Sequence, residues 1–178
     1  MKNLIVCAGN NESFSFAKSI GIGLINSSIT LSNICKIAKP QKIIFIGTCG
    51  LYKDGKILDI YESSHAFNIE AGKILADFYT PLDYEINLNV SYETFRCNSS
   101  NYICVNKNIA YKFFELGLSL ENMEAFAVLN VAKYFDIKAT CFLCATNFCD
   151  ENAHKDFVKN HALAKIKLEN FLQEKNII

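Results

Sequence analysis

Ile43-Ile44-Phe45-Ile46-Gly47-Thr48-Cys49-Gly50 is the stretch on which the fold turns. Four apolar residues in succession, three of them β-branched, leave no polar face. Such a segment is expected as a strand covered on both sides, the usual situation in an α/β sheet. The strand is expected to break at Gly47-Thr48-Cys49-Gly50. Upstream, Ile25, Ile29, Ile34, Ile37 and Ala38 recur at roughly helical spacing, and Pro40 stops that helix. Further upstream, Leu4 to Ala8 reads as a first strand ending in the polar turn Gly9-Asn10-Asn11-Glu12. Downstream, Ile57 to Tyr61 reads as a strand, and Tyr84, Ile86, Leu88, Val90 and Tyr92 alternate with polar residues, predicting a strand with one exposed face. Met123, Phe126, Ala127, Val131, Tyr134 and Phe135 mark a second helix, followed by an apolar strand from Ala139 to Ala145. Phe157, His161, Ala164, Leu168 and Phe171 form a last amphipathic helix, with Asp150 or Asn152 as its cap. Short strands alternating with helices predict an α/β class: a three-layer α/β/α sandwich with a mixed central sheet, formed by residues 1–178 as one domain.

Composition narrows the function classes. The 178 residues include 18 basic and 18 acidic side chains, and Arg96 is the lone arginine. A zero balance lacks the clustered Lys and Arg that nucleic-acid binding by counterion release requires. No uncharged run approaches the ~18 residues of a membrane span, and the N-terminus reads as a buried strand, not a signal peptide. No nucleic-acid or membrane partner is therefore expected. Of the eight cysteines, Cys7, Cys49, Cys104, Cys141 and Cys144 lie in or beside apolar runs, where free Cys behaves as a small hydrophobe. Cys141 and Cys144 form a CxxC, but strand positions three apart face opposite sides, which is poor geometry for joint chelation. The expectation is reduced structural cysteines, no metal and a cytoplasmic setting; metal or redox use of the pair is the alternative.

Candidate chemistry gathers after the expected strand ends, where open α/β sheets bind ligands. Asn11-Glu12, Gly47-Thr48-Cys49-Gly50, Asn122-Met123-Glu124 and Thr146-Asn147 are the four places. A Gly-Thr-x-Gly turn lets backbone N–H groups and a hydroxyl converge on an anion or a sugar oxygen, though a plain tight turn has the same residues. Glu124 beside Met123 also fits a first-turn acid favoured by a helix dipole, with Met in the core.

Taken in order, these segments resemble the nucleoside phosphorylase and nucleosidase superfamily. Gly21-Ile22-Gly23-Leu24-Ile25-Asn26-Ser27-Ser28 is similar to its glycine-rich turn into a helix, and Ile44 to Gly50 to its strand ending in Gly-Ser/Thr-x-Gly. Glu121-Asn122-Met123-Glu124-Ala125 resembles its Met-Glu ribose signature, and Thr146-Asn147 sits where the family carries a purine-contacting Asp or Asn. The resemblance implies a phosphorylase/hydrolase-like fold and glycosidic cleavage through an oxocarbenium-like sugar. It makes Glu124, Asn147 and Glu12 the catalytic candidates. Glu124 would accept from the ribose hydroxyls, Asn147 would bond the purine at N7 and the 6-position, and Glu12 stands where nucleosidases carry a water-activating acid. Met123 would pack on the sugar, Gly47, Thr48 and Thr146 would bind substrate, phosphate or water, and Tyr102 would stack on the base unless it is a core tyrosine. His65, in Ser63-Ser64-His65-Ala66-Phe67, is the candidate contribution to a neighbouring subunit's site in a homo-oligomer, with a merely solvated side chain as the alternative.

Departures from the family pattern bear on the reaction. Phosphorylases of this superfamily clamp phosphate with arginines, whereas here the position before the Gly-Thr turn falls in Ile44-Phe45-Ile46 and Arg96 stands alone. The segment between Glu12 and Gly21 is also short. Three readings follow: phosphorolysis of purine nucleosides with phosphate as co-substrate and no other cofactor, placed first because of the amide Asn147; hydrolysis by a nucleosidase of methylthioadenosine or futalosine type, favoured by Glu12 and the missing arginines; and a non-catalytic nucleoside-binding homologue.

Overall fold

A computed structural model of the chain describes residues 3–75, 78–89 and 94–178. Its centre is β3 (Lys42–Leu51), which carries the decisive stretch. β1 (Asn3–Cys7) runs parallel to the first half of β3, from Asn3 against Lys42 to Cys7 against Ile46, and β2 (Lys18–Ser19) extends that edge. On the opposite edge, β9 (Lys138–Phe148) lies parallel to β3 along its whole length, and β4 (Ile60–Ser63) pairs antiparallel with β9. Because β1 stops at Cys7, the first edge of β3 has no strand partner over residues 47–49. Only at Gly50 and Leu51 does β8 (Leu120–Asn122) arrive, antiparallel. β7 (Arg96–Ser99), β5 (His65–Phe67) and β6 (Glu85–Asn87) continue from it, completing a mixed sheet.

The apolar run of β3 is explained by helices on both faces. Ile43 and Phe45 face α1 (Gly23–Ala38) and α4 (Ala125–Tyr134), meeting Leu31, Cys35, Val128 and Leu129. Ile44 and Ile46 face α5 (Ala153–Glu174), packing with Ala164, Leu168 and Leu172. Each fully buried aliphatic side chain contributes roughly 1.5–3 kcal/mol of transfer free energy. The short α2 (Ala71–Ile74) and α3 (Lys107–Glu115) flank the far part of the sheet, where Tyr52, Phe113 and Leu118 form a third cluster. Asn106 caps α3, accepting from the N–H groups of Asn108 (2.9 Å) and Ile109 (3.1 Å). All eight cysteines are free, and Cys141 and Cys144 do face opposite layers.

Several expectations are corrected. Gly47-Thr48-Cys49-Gly50 is not a turn: β9 pairs with it throughout, so the strand continues to Leu51. Thr146 and Asn147 likewise lie inside β9 and not in a following loop. In α1 the buried residues are Gly23, Ser27, Leu31 and Cys35, whereas Ile25, Ile29 and Ile37 are exposed. The expected strand at Ile57 to Tyr61 begins at Ile60, since Leu58 adopts a left-handed φ of 68°. The alternating segment from Tyr84 forms strand only over Glu85–Asn87, and Val90 and Tyr92 lie outside the described residues. Among the described residues no helix is long and apolar enough to cross a membrane.

Candidate active site

The open edge of β3 is where the site forms. Thr48 has its backbone N–H and C=O directed at the gap between the end of β1 and β8, and two side chains take the place of the missing strand. Glu12 Oε2 accepts the Thr48 N–H at 3.3 Å, and Asn122 Nδ2 donates to the Thr48 carbonyl at 3.0 Å. The Thr48 hydroxyl donates to Glu12 Oε1. Glu12 is delivered by the tight turn after β1, in which Gly9 (φ 99°) and Asn10 (φ 52°) are left-handed and Glu12 N–H returns to the Gly9 carbonyl at 3.0 Å. Gly47 keeps the approach open: a Cβ there would stand 3.1 Å from Glu12 Oε2. Burial pushes the Glu12 carboxyl upward from its ordinary value, opposed by the two bonds from Thr48 and by the charges of His161 and Lys165 on α5.

Glu124 is buried at the N-terminal end of α4 without capping that helix. Asn122 does the capping, its Oδ1 accepting from the N–H groups of Glu124 and Ala125, both at 2.8 Å. The Glu124 carboxylate is thereby free to cross to the start of α1, where it accepts the Gly23 N–H at 2.8 Å. The neighbouring Leu24 N–H goes to Asn101 Oδ1 at 3.1 Å. Remote side chains thus satisfy the first N–H groups of α1, and the positive end of its dipole faces an acid. Burial raises the Glu124 carboxyl to about 7, the Gly23 N–H pulls it down and the nearby Glu12 pushes it up. Two buried acids so coupled are a frequent mark of a functional site.

A bulge aims the third candidate. Cys49 is in register with Ala145 but Gly50 with Asn147, so Thr146 is the extra residue of β9 and the phase of its side chains resets there. Asn147 Oδ1 accepts from the Thr146 hydroxyl at 2.9 Å and Nδ2 donates to the Phe148 carbonyl at 2.9 Å. Glu12, Thr48, Met123, Glu124, Thr146 and Asn147 all line one cavity of about 420 Å³, within the range that holds a small ligand. Ile22, Ile103, Val105 and Phe157 supply its apolar wall. Gly47 sits beside it against Glu12.

Two candidates are not brought there. His65 is buried in β5, three strands from β3, where its Nε2 lies 2.7 Å from Glu85 Oε1 and its ring stacks on Phe67. A side chain so enclosed is not the merely solvated one of the alternative reading. Tyr102 is 85% exposed and belongs to no core; its neighbours Ile103 and Val105 form the wall instead. Sequence reasoning gave no role to the side chains of Asn122 and Glu121, which also line the cavity. Both lie in a three-residue strand too short for any periodicity to be read. Among the described lining residues there is no Lys or Arg, and Arg96 lies over the Phe67 ring on β7. The described residues contain no cluster of three or more His, Cys, Asp or Glu suited to a metal ion.

No family model and no curated protein sequence matches the chain. Solved structures do. A point mutant of the Helicobacter pylori 5′-methylthioadenosine/S-adenosylhomocysteine nucleosidase with 5′-methylthioadenosine in its active site superposes with a TM-score of 0.80 at 17% identity, covering 97% of this chain and 96% of that one. A futalosine hydrolase mutant from H. pylori gives 0.80 at 16% identity, covering 97% of each chain. The S-adenosylhomocysteine nucleosidase of Streptococcus pyogenes, in complex with 5-methylthiotubericidin, gives 0.76 at 12% identity, with 97% and 94% covered. The chain has the mixed α/β fold of these nucleosidases, which is the fold of the nucleoside phosphorylase/nucleosidase superfamily.

Proposed function

We propose that this chain hydrolyses the N-glycosidic bond of purine nucleosides. The observation that carries the reading is the convergence of Glu12, Glu124 and Asn147 on one cavity whose described walls hold no Lys or Arg. Glu124 accepts from the ribose hydroxyls, and its charge favours the sugar cation that develops as the C1′–N9 bond lengthens. Glu12, held by Thr48, takes a proton from the water that attacks C1′. The bonding pair leaves with the purine, whose growing charge at N7 and the 6-position is met by the Asn147 amide. The base then acquires a proton from solvent, so water and nucleoside give ribose and free purine. The named activities of the three structural neighbours above, two nucleosidases and a hydrolase, support the same choice.

Phosphorolysis, the reading placed first on sequence, is disfavoured by this site. A phosphate dianion would enter beside three carboxyl groups, Glu12, Glu121 and Glu124, with His154 as the one basic side chain and no arginine among the described lining residues. Base release from inosine, guanosine, adenosine and methylthioadenosine, with and without phosphate, tests the proposal. Release that needs no phosphate and yields free sugar is expected; strict dependence on phosphate overturns it. A homo-oligomer remains part of the proposal, supported by the exposed Ile22, Ile25 and Ile29 at the start of α1 next to the cavity. Sedimentation as a monomer at micromolar concentration would remove that part.

A further inference from the structure

Phe157, His161 and Lys165 follow one another at intervals of four along α5 and so share one face of that helix. The first belongs to the cavity wall. The last reaches the turn that delivers Glu12: its Nζ donates to the Asn11 carbonyl at 3.2 Å and stands 5.3 Å from the centre of the Phe14 ring. His161 lies between them, its ring centre 5.0 Å from that of Phe157. The reaction described above uses neither of these two basic side chains.

The turn itself is exposed at Asn10 and Asn11. Beyond the bonds inside the turn, residues 10–12 are hydrogen-bonded, among the described residues, only to Thr48 and Lys165. Glu12 is thus carried by a loop with two anchors: β3 holds its carboxyl, and α5 holds the backbone one residue before it. His161 adds something packing does not ask for. Among the described residues, its Nε2 is the buried side-chain nitrogen or oxygen without a hydrogen-bond partner. An enclosed nitrogen left unpaired is costly, and an apolar side chain would fill the same place without that cost. What the imidazole contributes is electrostatic. Burial pushes the Glu12 carboxyl upward, and after the Thr48 bonds it is His161 and then Lys165 that oppose the rise. The other titratable groups near Glu12 do not: Glu124 on α4 is a second acid, and Cys7 on β1 and Cys49 on β3 are thiols. Of the remaining cavity residues, Glu121 is acidic and His154, at the start of α5, is exposed.

We propose that His161 and Lys165 are positioning residues for Glu12, clamping its turn against α5 and setting positive charge beside the carboxylate that takes the proton from water. The inference rests on the hydrolytic reading above, in which Glu12 is the base, and adds what keeps that base in place and charged. Neither residue touches the reacting atoms. A carboxylate accepts a proton only while it is ionised, so positive charge beside it extends its working range to lower pH.

Three variants test this. Lys165→Met keeps the apolar stem and removes the charge and the bond to Asn11, whereas Lys165→Arg keeps both. His161→Phe retains a ring against Phe157 and removes the enclosed nitrogen. Each is assayed from pH 5 to pH 8 on the best substrate among the four nucleosides named above, with melting temperature as the control for folding. Lys165→Met and His161→Phe should each lose about threefold to tenfold more of kcat at pH 5 than at pH 8, with KM within about twofold. Lys165→Arg should stay near the unmodified protein, and His161→Phe should melt no lower than it, since carbon replaces an unpaired nitrogen. A deficit of equal size at every pH, unimpaired variants, or a Lys165→Arg no better than Lys165→Met overturns the inference. In each of those cases the hydrolytic reading stands. If His161→Phe does not fold, the two Lys165 variants still decide. Failure of the unmodified protein to cleave any nucleoside overturns both.

Discussion

At the scale of single residues, Glu124 bears the largest conflict between stability and function. Burial raises its carboxyl to about 7, whereas the ordinary value for a free side chain is 4.5. Between those values the folded state binds the extra proton, so the stability it confers is present at low pH and is lost as pH rises toward 7. The difference amounts to something on the order of 3 kcal/mol. Glu124→Gln is therefore expected to raise the melting temperature at pH 8 and to leave it nearly unchanged at pH 5. Activity moves the other way. The amide loses the charge facing the sugar cation, and kcat should fall ~10²–10³-fold. In the unmodified protein kcat/KM should climb with pH through about 7 as Glu124 ionises. Activity within a few-fold of the unmodified protein would make Glu124 a structural acid at the start of α1. Asn147→Asp has a different signature: a carboxyl group can protonate N7 and accept from a 6-amino group, so adenosine should gain on inosine. If Asn147 served only the bulge, that ratio would stay fixed while the melting temperature moved. Glu12, Thr48, Glu124 and Asn147 are legible as candidates because each stands near an expected strand end in a segment that resembles a motif of the superfamily. Glu121 is not, because a lone acid between Leu120 and Asn122 looks like any solvated strand position.

At the scale of elements, the site exists because β1 is shorter than β3. Its early end leaves Thr48 to be satisfied by Glu12 on one side and Asn122 on the other. Asn122 does two things at once, capping α4 and holding the Thr48 carbonyl. Asn122→Ala should therefore cost about 1–2 kcal/mol from the lost cap and lower activity further by releasing Glu124. Asn122→Asp retains the acceptor for both N–H groups, and denaturant unfolding should show much of the stability restored. Unchanged stability in Asn122→Ala would mean that water replaces the cap. The sequence pattern identified β3, β9, α4 and α5 from their apolar spacing. It misjudged α1, because isoleucine spacing pointed to Ile25 and Ile29 while the helix buries Leu31 and the small residues Gly23, Ser27 and Cys35. Periodicity reports where a helix is apolar, and packing distance decides which face goes inward. The continuation of β3 through Gly47-Thr48-Cys49-Gly50 was illegible for a related reason: the strand persists through pairing with β9, a partner almost a hundred residues away.

At the scale of the whole molecule, three buried acids share one cavity, and burial raises the carboxyl of each above its ordinary value. Every one of them favours the folded state more when protonated, so thermal stability should increase as pH falls from neutral toward about 5, where exposed carboxylates are still charged. A melting temperature that rises from pH 6 to pH 8 would contradict this electrostatic picture. In the hydrolytic reading proposed above, the concentration of acid disfavours a phosphate nucleophile and leaves water, activated by Glu12, as the attacking group. Incubation with inosine in ¹⁸O-labelled water containing millimolar phosphate measures that directly, through the mass of the released sugar. The account predicts free ribose carrying one ¹⁸O, formed at a rate that phosphate does not raise. Unlabelled ribose 1-phosphate as the product would contradict it.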